Sequence, residues 1–244
     1  LGTTDDLPEV IYAREYDAAI SPNGNIPVHA FNLISPTFFA NSSTGNKYSL
    51  WVNVYGVSER YLNVYGEKDL RAQMNQFFHR TYTHPVDGTT LDMKMLCNWY
   101  WYDETAILET GKGTKDWNFY RYAETLLSAA EAIAQSSGVN AEAAGYLAQV
   151  KARANMEGKD VSTIASELQR LGKQAFIEEC WKERLREFPL EMKIWDDCVR
   201  TGKFPQISAT NKGEVQFVDL IGAKNGSGAT FKATDLYWPC LLYT

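Results

Sequence analysis

The chain has 244 residues, of which 45% are apolar and 22% charged, and its formal net charge is −6. A chain of this length and composition buries a sizeable core and folds as a globular protein. The acidic balance excludes nucleic acid as the main partner, because binding to phosphates requires a basic surface. Aromatic residues, at 13%, are the one compositional excess.

The first region, residues 1–115, is rich in Asn, Gly, Ser, Thr and aromatic residues. This composition predicts irregular structure with short strands. The stretches EVIYARE (9–15) and YSLWVNVYGV (48–57) both have strand-like apolar patterns. In the second, Trp51 and Tyr55 occupy one face of the predicted strand. We therefore take these two rings as candidate ligand contacts.

A helix is predicted within EKDLRAQMNQFFHRTY (67–82), because four apolar residues recur there at helical spacing. Its apolar face consists of Leu70, Met74, Phe77 and Phe78.

The stretch NWYWYDE (98–104) contains four consecutive aromatic residues. Strand alternation places Trp99 and Trp101 on one side, and Tyr100 and Tyr102 on the other. Exposure of both sides would invite aggregation, so we expect at least one pair to be buried. A sugar that stacks here is expected to use only one of the pairs.

The second region, residues 116–203, predicts helices. In DWNFYRYAETLLSAAEAIAQSSG (116–138), Asp116 is the expected N-cap and Gly138 the expected end. A second helix is predicted at about 141–155. Alanines dominate the apolar stripes of both helices, so the two can pack closely as an antiparallel hairpin.

Two further helices are predicted at about 172–188, ending before Pro189, and at about 190–201. Trp181 and Trp195 lie in their apolar stripes and are expected in the core. The last segment, residues 204–244, returns to strand and loop patterns such as EVQFVDLIGA.

The predicted fold is mainly α, with tetratricopeptide-like helix pairs packed against an irregular, loop-rich region with short strands. The three segments are expected to form one integrated domain. No apolar run reaches the roughly 18 residues that a membrane-spanning helix needs.

The sequence indicates no cofactor and no metal site. The three histidines have no metal-ligand spacing, and the four cysteines form no CxxC pair. The cysteines are interpreted as buried free thiols or as one or two disulfides, and their spacing leaves both possibilities open.

Three segments of the helical region resemble the SusD/RagB family. RYAETLLSAAEA (121–132) matches its signature helix Arg-Tyr-Ala-Glu-x-Leu-Leu-x-x-Ala-Glu-Ala at every fixed position. VKARANM (150–156) resembles the end of the next family helix, and ERLREFPLEMKIWDDCVRTGK (183–203) resembles a charged family segment. The matching signature residues include Arg121, Tyr122, Glu124, Glu131, Arg153, Glu183, Arg184, Glu187, Asp197 and Arg200.

Some positions depart from the family pattern. Met192 replaces a glycine, and Lys193 and Ile194 stand where His/Arg is usual. The N-terminal half of the family, with its lipidated cysteine, is not found in this sequence. The chain therefore resembles a C-terminal half, and we expect it to be a piece of a longer protein.

The resemblance implies a surface-exposed outer-membrane lipoprotein that captures oligosaccharide or polysaccharide and passes it to a SusC-like TonB-dependent transporter. It implies membrane contact only through a lipid anchor outside this chain. The alternatives are a peptide-binding member of the same family, a helical-repeat scaffold for protein partners and a glycoside hydrolase.

The charged residues of segment 183–203 have two interpretations. A hydrolase would need two carboxylates facing one cleft, roughly 5 to 10 Å apart. Residues such as Glu183 and Glu187 fit better as ion pairs that join helices, because they recur within a helical signature. We therefore predict no enzymatic activity and no catalytic residue.

Overall fold

The computed structural model describes residues 7–17, 20, 57–83, 88–100, 102–103 and 115–237. Within these residues the helices are α1 (Tyr122–Ser137), α2 (Ala141–Arg153), α3 (Val161–Leu168), α4 (Lys173–Glu187) and α5 (Ile194–Thr201). The strands form two-stranded antiparallel ribbons: β1 (Val10–Arg14) with β4 (Trp117–Arg121), β2 (Phe78–Thr83) with β3 (Thr90–Asn98), and β5 (Lys203–Ile207) with β6 (Val215–Asp219). The predicted mainly α architecture is confirmed.

Helices α1 and α2 form the predicted hairpin, and their contact is made largely by alanines. Ala130 and Ala144 are fully buried, as is Leu147 between the helices and their neighbours. Gly138 ends α1 with a φ of 81°, a conformation that strains any residue with a Cβ. The side chain of Asn140 then caps α2 by accepting a hydrogen bond from the Ala143 N–H.

Helix α3 was not predicted, although its sequence carries the signals of a helix. The Asp160 carboxylate caps it by accepting from the Thr163 N–H, and Ile164 and Leu168 bury one face against α2. Helix α4 then ends at Glu187, as predicted from Pro189.

The helix predicted over residues 67–82 is wrong. Residues Leu70–Ala72 form a short 3₁₀ helix, and Phe78–Thr83 form β2. Asn75 adopts a positive φ of 62°, which ends helical geometry between the two. Pairing with β3 overrides the apolar spacing that favoured a helix.

The predicted start of α1 is also wrong. Residues Trp117–Arg121 form β4, because this aromatic-rich segment pairs with β1 along its length. Asp116 does not cap a helix; its carboxylate accepts a hydrogen bond from the Tyr16 N–H at 2.8 Å. The helix begins at Tyr122 instead.

The irregular region covers one side of α4. Leu185 of α4 packs in a second apolar cluster with Val64, Tyr65, Phe78 and other buried residues. The Tyr65 hydroxyl donates to the Arg186 carbonyl oxygen at 3.1 Å. This bond and a similar one from Tyr61 to Leu185 satisfy carbonyls that the end of a helix leaves unpaired.

Three of the four cysteines lie in the part of the chain that the structure describes. Cys97, Cys180 and Cys198 are buried free thiols there, while Cys240 lies outside that part. Among the described residues, no group of His, Cys, Asp and Glu is arranged to hold a metal ion. No helix in the described ranges is long and apolar enough to cross a membrane.

Met192, which replaces the signature glycine, retains a glycine-like backbone. Its φ is 60°, in the left-handed region that L-residues disfavour, and its side chain is exposed. The family pattern therefore marks a backbone requirement that this chain meets at an energetic cost.

The substitution Met192→Gly is expected to raise the free energy of unfolding by about 1 kcal/mol, because glycine relieves the left-handed strain. Urea denaturation measures the change. Met192→Ala is the matched control: it removes the same exposed side chain but keeps Cβ, and should give no comparable gain. Equal stabilisation by both variants would contradict the strain argument.

Candidate functional site

Glu183 of α4 is buried within a cluster of cations. Arg71 Nη2 lies 2.9 Å from its Oε1, and Arg186 Nη1 lies 3.1 Å from its Oε2. Lys151 Nζ lies 3.7 Å away. Burial alone would raise the pKa of Glu183, but these three cations lower it to about 2. The carboxylate is therefore ionised and fixed in place.

Glu187, one turn further along α4, joins three separate parts of the chain. Arg71 Nη1 lies 2.9 Å from its Oε2, Arg121 Nη1 lies 3.1 Å from its Oε1, and Arg153 Nη2 lies 2.5 Å from the same Oε1. These arginines come from the irregular region, β4 and α2, so one side chain fixes all three against α4.

Arg121 extends this cluster to Glu9, immediately before β1, and to the segment after α4. Its guanidinium contacts Glu9 at 2.6 Å and Glu191 at 2.7 Å, and lies over the Phe188 ring at 5.0 Å. Burial raises the pKa of Glu191, although Arg121 opposes the effect. We call the set Glu9, Arg71, Arg121, Arg153, Glu183, Glu187 and Glu191 the central ion cluster.

The remaining signature charges form a second group on α1, α4 and α5. Arg184 contacts Glu124 at 3.2 Å and Asp197 at 2.7 Å. Arg200 contacts Glu131 at 2.8 Å and Asp197 at 3.2 Å. Each charge has an oppositely charged partner on another helix or turn.

Tyr122 is the one uncharged residue among the signature residues named above, and it is 49% exposed. Its contribution comes from the backbone, whose N–H donates to the Glu9 carbonyl oxygen at 2.7 Å.

The aromatic stretch does not continue as a strand. β3 ends at Asn98, and the Tyr102 N–H donates to the Trp99 carbonyl oxygen at 3.1 Å, which closes a turn. The strand alternation predicted for Trp99, Tyr100 and Tyr102 is therefore wrong, because a turn follows Asn98.

Trp99 is the middle ring of a three-ring stack. Its centroid lies 4.0 Å from that of His79 and 4.6 Å from that of Tyr102, with interplanar angles of 5° and 14°. Two nearly parallel rings this close to one centroid would overlap if they shared a face, so they cover opposite faces. Trp99 consequently offers no open ring face to a sugar.

Tyr100 instead lines a cleft of about 570 Å³ between the β1–β4 ribbon, the 70–77 segment and the end of α2. Its apolar wall residues are Leu7, Val10, Leu70, Phe77, Tyr100 and Ala154. Its polar lining residues are Glu9, Arg71, Gln76, Lys115, Asp116, Asn118, Arg121, Arg153 and Glu187. The central ion cluster thus forms part of the cleft lining.

Several contacts hold the Tyr100 ring in place. Lys115 Nζ lies 5.1 Å from the ring centroid and donates to the Tyr100 carbonyl oxygen. Burial raises the pKa of Tyr100 to about 12, against a smaller opposing effect of a hydrogen bond from the Asn118 side chain. The phenol is therefore neutral at physiological pH and offers hydroxyl chemistry rather than charge.

Other predicted aromatic residues lie elsewhere. Trp51, Tyr55 and Trp101 fall outside the described residues. Trp181 and Trp195, expected in the core, are half-buried: Trp181 packs edge-on to a ring of β6 and Trp195 packs against a C-terminal loop.

Four cleft residues were not predicted as site residues: Glu9, Arg71, Phe77 and Asn118. Arg71 had one signal, because EKDLRAQM (67–74) is similar to an Asp-Pro-Arg block of the SusD/RagB family. Glu9 and Asn118 reach the cleft through the strand pairing that brings β1 beside β4, whereas Phe77 lies immediately before β2.

Comparison with known proteins agrees with this architecture. Residues 39–238 match the model of the SusD family. A SusD superfamily protein from Parabacteroides distasonis ATCC 8503 is similar, with 24% identity and a TM-score of 0.76 over 96% of this chain and 47% of that one. No curated protein matches.

Two further solved structures share the fold. A SusD superfamily protein from Bacteroides fragilis NCTC 9343 has 18% identity and a TM-score of 0.54, covering 90% of this chain and 44% of that one. Surface glycan-binding protein A from Bacteroides uniformis has 19% identity and a TM-score of 0.56, covering 96% and 46%. This chain therefore spans about half the length of each of these proteins.

The substitution Glu183→Gln is expected to lower the free energy of unfolding by roughly 3 to 5 kcal/mol, because it leaves buried cations without their counter-charge. Urea denaturation at neutral pH measures the loss. Glu59→Gln, which breaks the exposed pair with Arg80, is the matched control and should have little effect. Similar losses of stability in both variants would contradict the claim that the buried ion pairs of Glu183 stabilise the fold more than an exposed pair does.

The same variant tests a pH dependence. The pKa of Glu183 is depressed from 4.5 to about 2, so its stabilising contribution is present above pH 4.5 and is lost as the pH falls towards 2. Urea denaturation across this range should show the parent protein losing stability on acidification. Glu183→Gln should show a shallower dependence; an unchanged slope would contradict the assignment.

Proposed function

Because the chain belongs to the SusD family, we propose that it belongs to a surface glycan-binding protein that captures oligosaccharide and passes it to a SusC-like TonB-dependent transporter. SusD family proteins are binding proteins rather than enzymes, and are generally associated with the cell surface and outer membrane. The proposed location is accordingly the outer membrane, facing outward, through an anchor outside this sequence.

The observation that carries the proposal is the cleft at Tyr100. Sugars present flat C–H faces and a ring of hydroxyl groups, which suit a pocket with aromatic walls and a few fixed polar groups. Tyr100 and Phe77 supply the aromatic walls, and Gln76 and Asn118 supply amides beside them. A volume of about 570 Å³ lies in the range of small-molecule sites.

The fold shared with Surface glycan-binding protein A from Bacteroides uniformis supports the same proposal. A catalytic role receives no comparable support, since the α4 carboxylates Glu183 and Glu187 are both held by several cations. A general acid would need a carboxyl with a raised pKa facing the ligand; the pKa of Glu183 is lowered, and Glu191, whose pKa burial raises, does not line the cleft.

The substitution Tyr100→Ala is expected to weaken glycan affinity by about tenfold or more, because it removes the aromatic wall of the cleft. Affinity electrophoresis against a panel of polysaccharides, followed by calorimetry on those that bind, measures the change. Tyr237→Ala, at an exposed ring outside the cleft, is the control and should bind as the parent does.

Three other outcomes would favour the alternatives. Binding of peptides with no binding across the glycan panel would favour a peptide-capturing member. Release of reducing sugar, abolished by a single carboxylate substitution, would favour a hydrolase. Unchanged glycan affinity in Tyr100→Ala would place the sugar at another surface.

The transporter partnership makes a separate prediction. The tagged protein, incubated with a detergent extract of its own outer membrane, is expected to retain a TonB-dependent transporter, identified by mass spectrometry. Resin carrying only the tag is the control. Failure to enrich any such transporter over this control would contradict the proposed transfer step while leaving glycan capture intact.

A further inference from the structure

The charges around the Tyr100 cleft restrict the kind of glycan that it can bind, if it binds glycan as proposed above. Four cations line the cleft: Arg71, Lys115, Arg121 and Arg153. A glycan carrying carboxylate or sulfate groups would need at least one of them to pair with. Such a ligand could pair only with a guanidinium or ammonium group that is not already held by carboxylates of the protein.

The three arginines are already committed to carboxylates of the protein. Arg71 contacts Asp69 at 2.7 Å as well as Glu183 and Glu187 at 2.9 Å. Its side chain is only 7% exposed, so a ligand in the cleft cannot displace these partners without disrupting the central ion cluster.

Arg121 and Arg153 share their carboxylates. Glu9 and Glu187 each contact both guanidinium groups, at distances between 2.5 and 3.1 Å. Arg121 has a further partner in Glu191 at 2.7 Å. The two arginines therefore face three carboxylates.

Lys115 is the fourth cation, and its position does not favour an anionic ligand either. Its ammonium group donates to the Tyr100 carbonyl oxygen and lies over the Tyr100 ring. Burial lowers the pKa of Lys115, while the charge of nearby Asp103 opposes the effect. A carboxylate of the protein thus already sits beside this ammonium group.

Carboxylates also occur at the cleft itself. Glu9, Asp116 and Glu187 line it, and the Glu9 side chain is 37% exposed. Arg153 is the more exposed of the rim charges, at 48%, but Glu9 and Glu187 both hold its guanidinium. An anionic glycan would therefore meet the Glu9 charge and find each arginine engaged, and like charges at an interface strongly disfavour binding. A neutral sugar meets no such cost and uses the aromatic walls and amides.

From this arrangement we infer that the cleft selects uncharged glycans and excludes glycans that carry uronic acid or sulfate groups. Glu9 at the rim sets the selection, because it is the exposed carboxylate that both neutralises Arg121 and Arg153 and repels an incoming anion.

The test compares one glycan in three forms. A neutral oligosaccharide that binds in the panel is oxidised at its primary hydroxyl groups to carboxylates, and a portion is then methyl-esterified to remove the charge. Calorimetry is expected to show affinity at least about tenfold weaker for the oxidised form, restored on esterification. Because the ester removes the charge without restoring the hydroxyl group, recovery of affinity shows that the charge, and not the lost hydroxyl contact, weakens binding.

The substitution Glu9→Gln should narrow the difference between the neutral and oxidised forms by several-fold, because it removes the rim charge and releases donors of Arg121 and Arg153. Glu59→Gln, which alters an exposed ion pair outside the cleft, should leave the ratio unchanged. Circular dichroism confirms that both variants fold, and a second rim variant, Arg153→Gln, should not improve binding of the oxidised form.

Two results would overturn the inference. Equal or tighter binding of the oxidised form shows that the cleft accepts anions, and an unchanged ratio in Glu9→Gln shows that the selection does not arise at this rim. Neither of these two results contradicts the proposal that the protein captures glycan. Absence of binding by every glycan in the panel, neutral or anionic, would instead remove the proposed function on which the inference depends.

Discussion

The ion pairs around Glu183 and Glu187 are the constraint on which the rest of the molecule depends. Both carboxylates are buried on α4, and a buried ion without its partners costs several kcal/mol. Their partners come from α2, from β4 and from the irregular region. The charges therefore leave little freedom in how these parts are placed against α4, whereas an apolar contact would tolerate sliding.

These ion pairs also determine the geometry of the cleft. Arg71, Arg121 and Arg153 belong both to the central ion cluster and to the cleft lining. The polar side of the cleft is therefore pre-organised by contacts with α4, and a ligand would not have to order it on binding. Tyr100, from a different segment, supplies an aromatic wall.

The helices could be predicted from the sequence where local signals agree with the fold. α1 and α2 carry long apolar stripes and end at Ser137 and Arg153, so their spacing predicts both helices, although the predicted N-cap of α1 is wrong. The charges of segment 183–203 predict ion pairs between helices, but they do not predict which residues pair. Ion partners lie too far apart in the chain for spacing to reveal them.

The predictions that are wrong failed because contacts between distant segments override local sequence patterns. Segment 67–82 has helical spacing, yet β-pairing of Phe78–Thr83 and the interaction of Arg71 with α4 determine its structure. The aromatic stretch alternates in sequence, but a turn after Asn98 puts Trp99 into a stack and Tyr100 into the cleft. Pattern alone does not show where a strand stops, and the candidate site depends on that point.

The distance along the chain between ion partners also bears on the order of folding. Arg71 and Glu187 are separated by 116 residues, and Tyr65 and Arg186 by 121. During synthesis residues 57–83 emerge before α4, so the apolar side chains of Val64, Tyr65 and Phe78 lack this partner until α4 is made. Such a nascent chain needs protection from aggregation until α4 is made, and this later helix becomes the template on which the earlier segment folds.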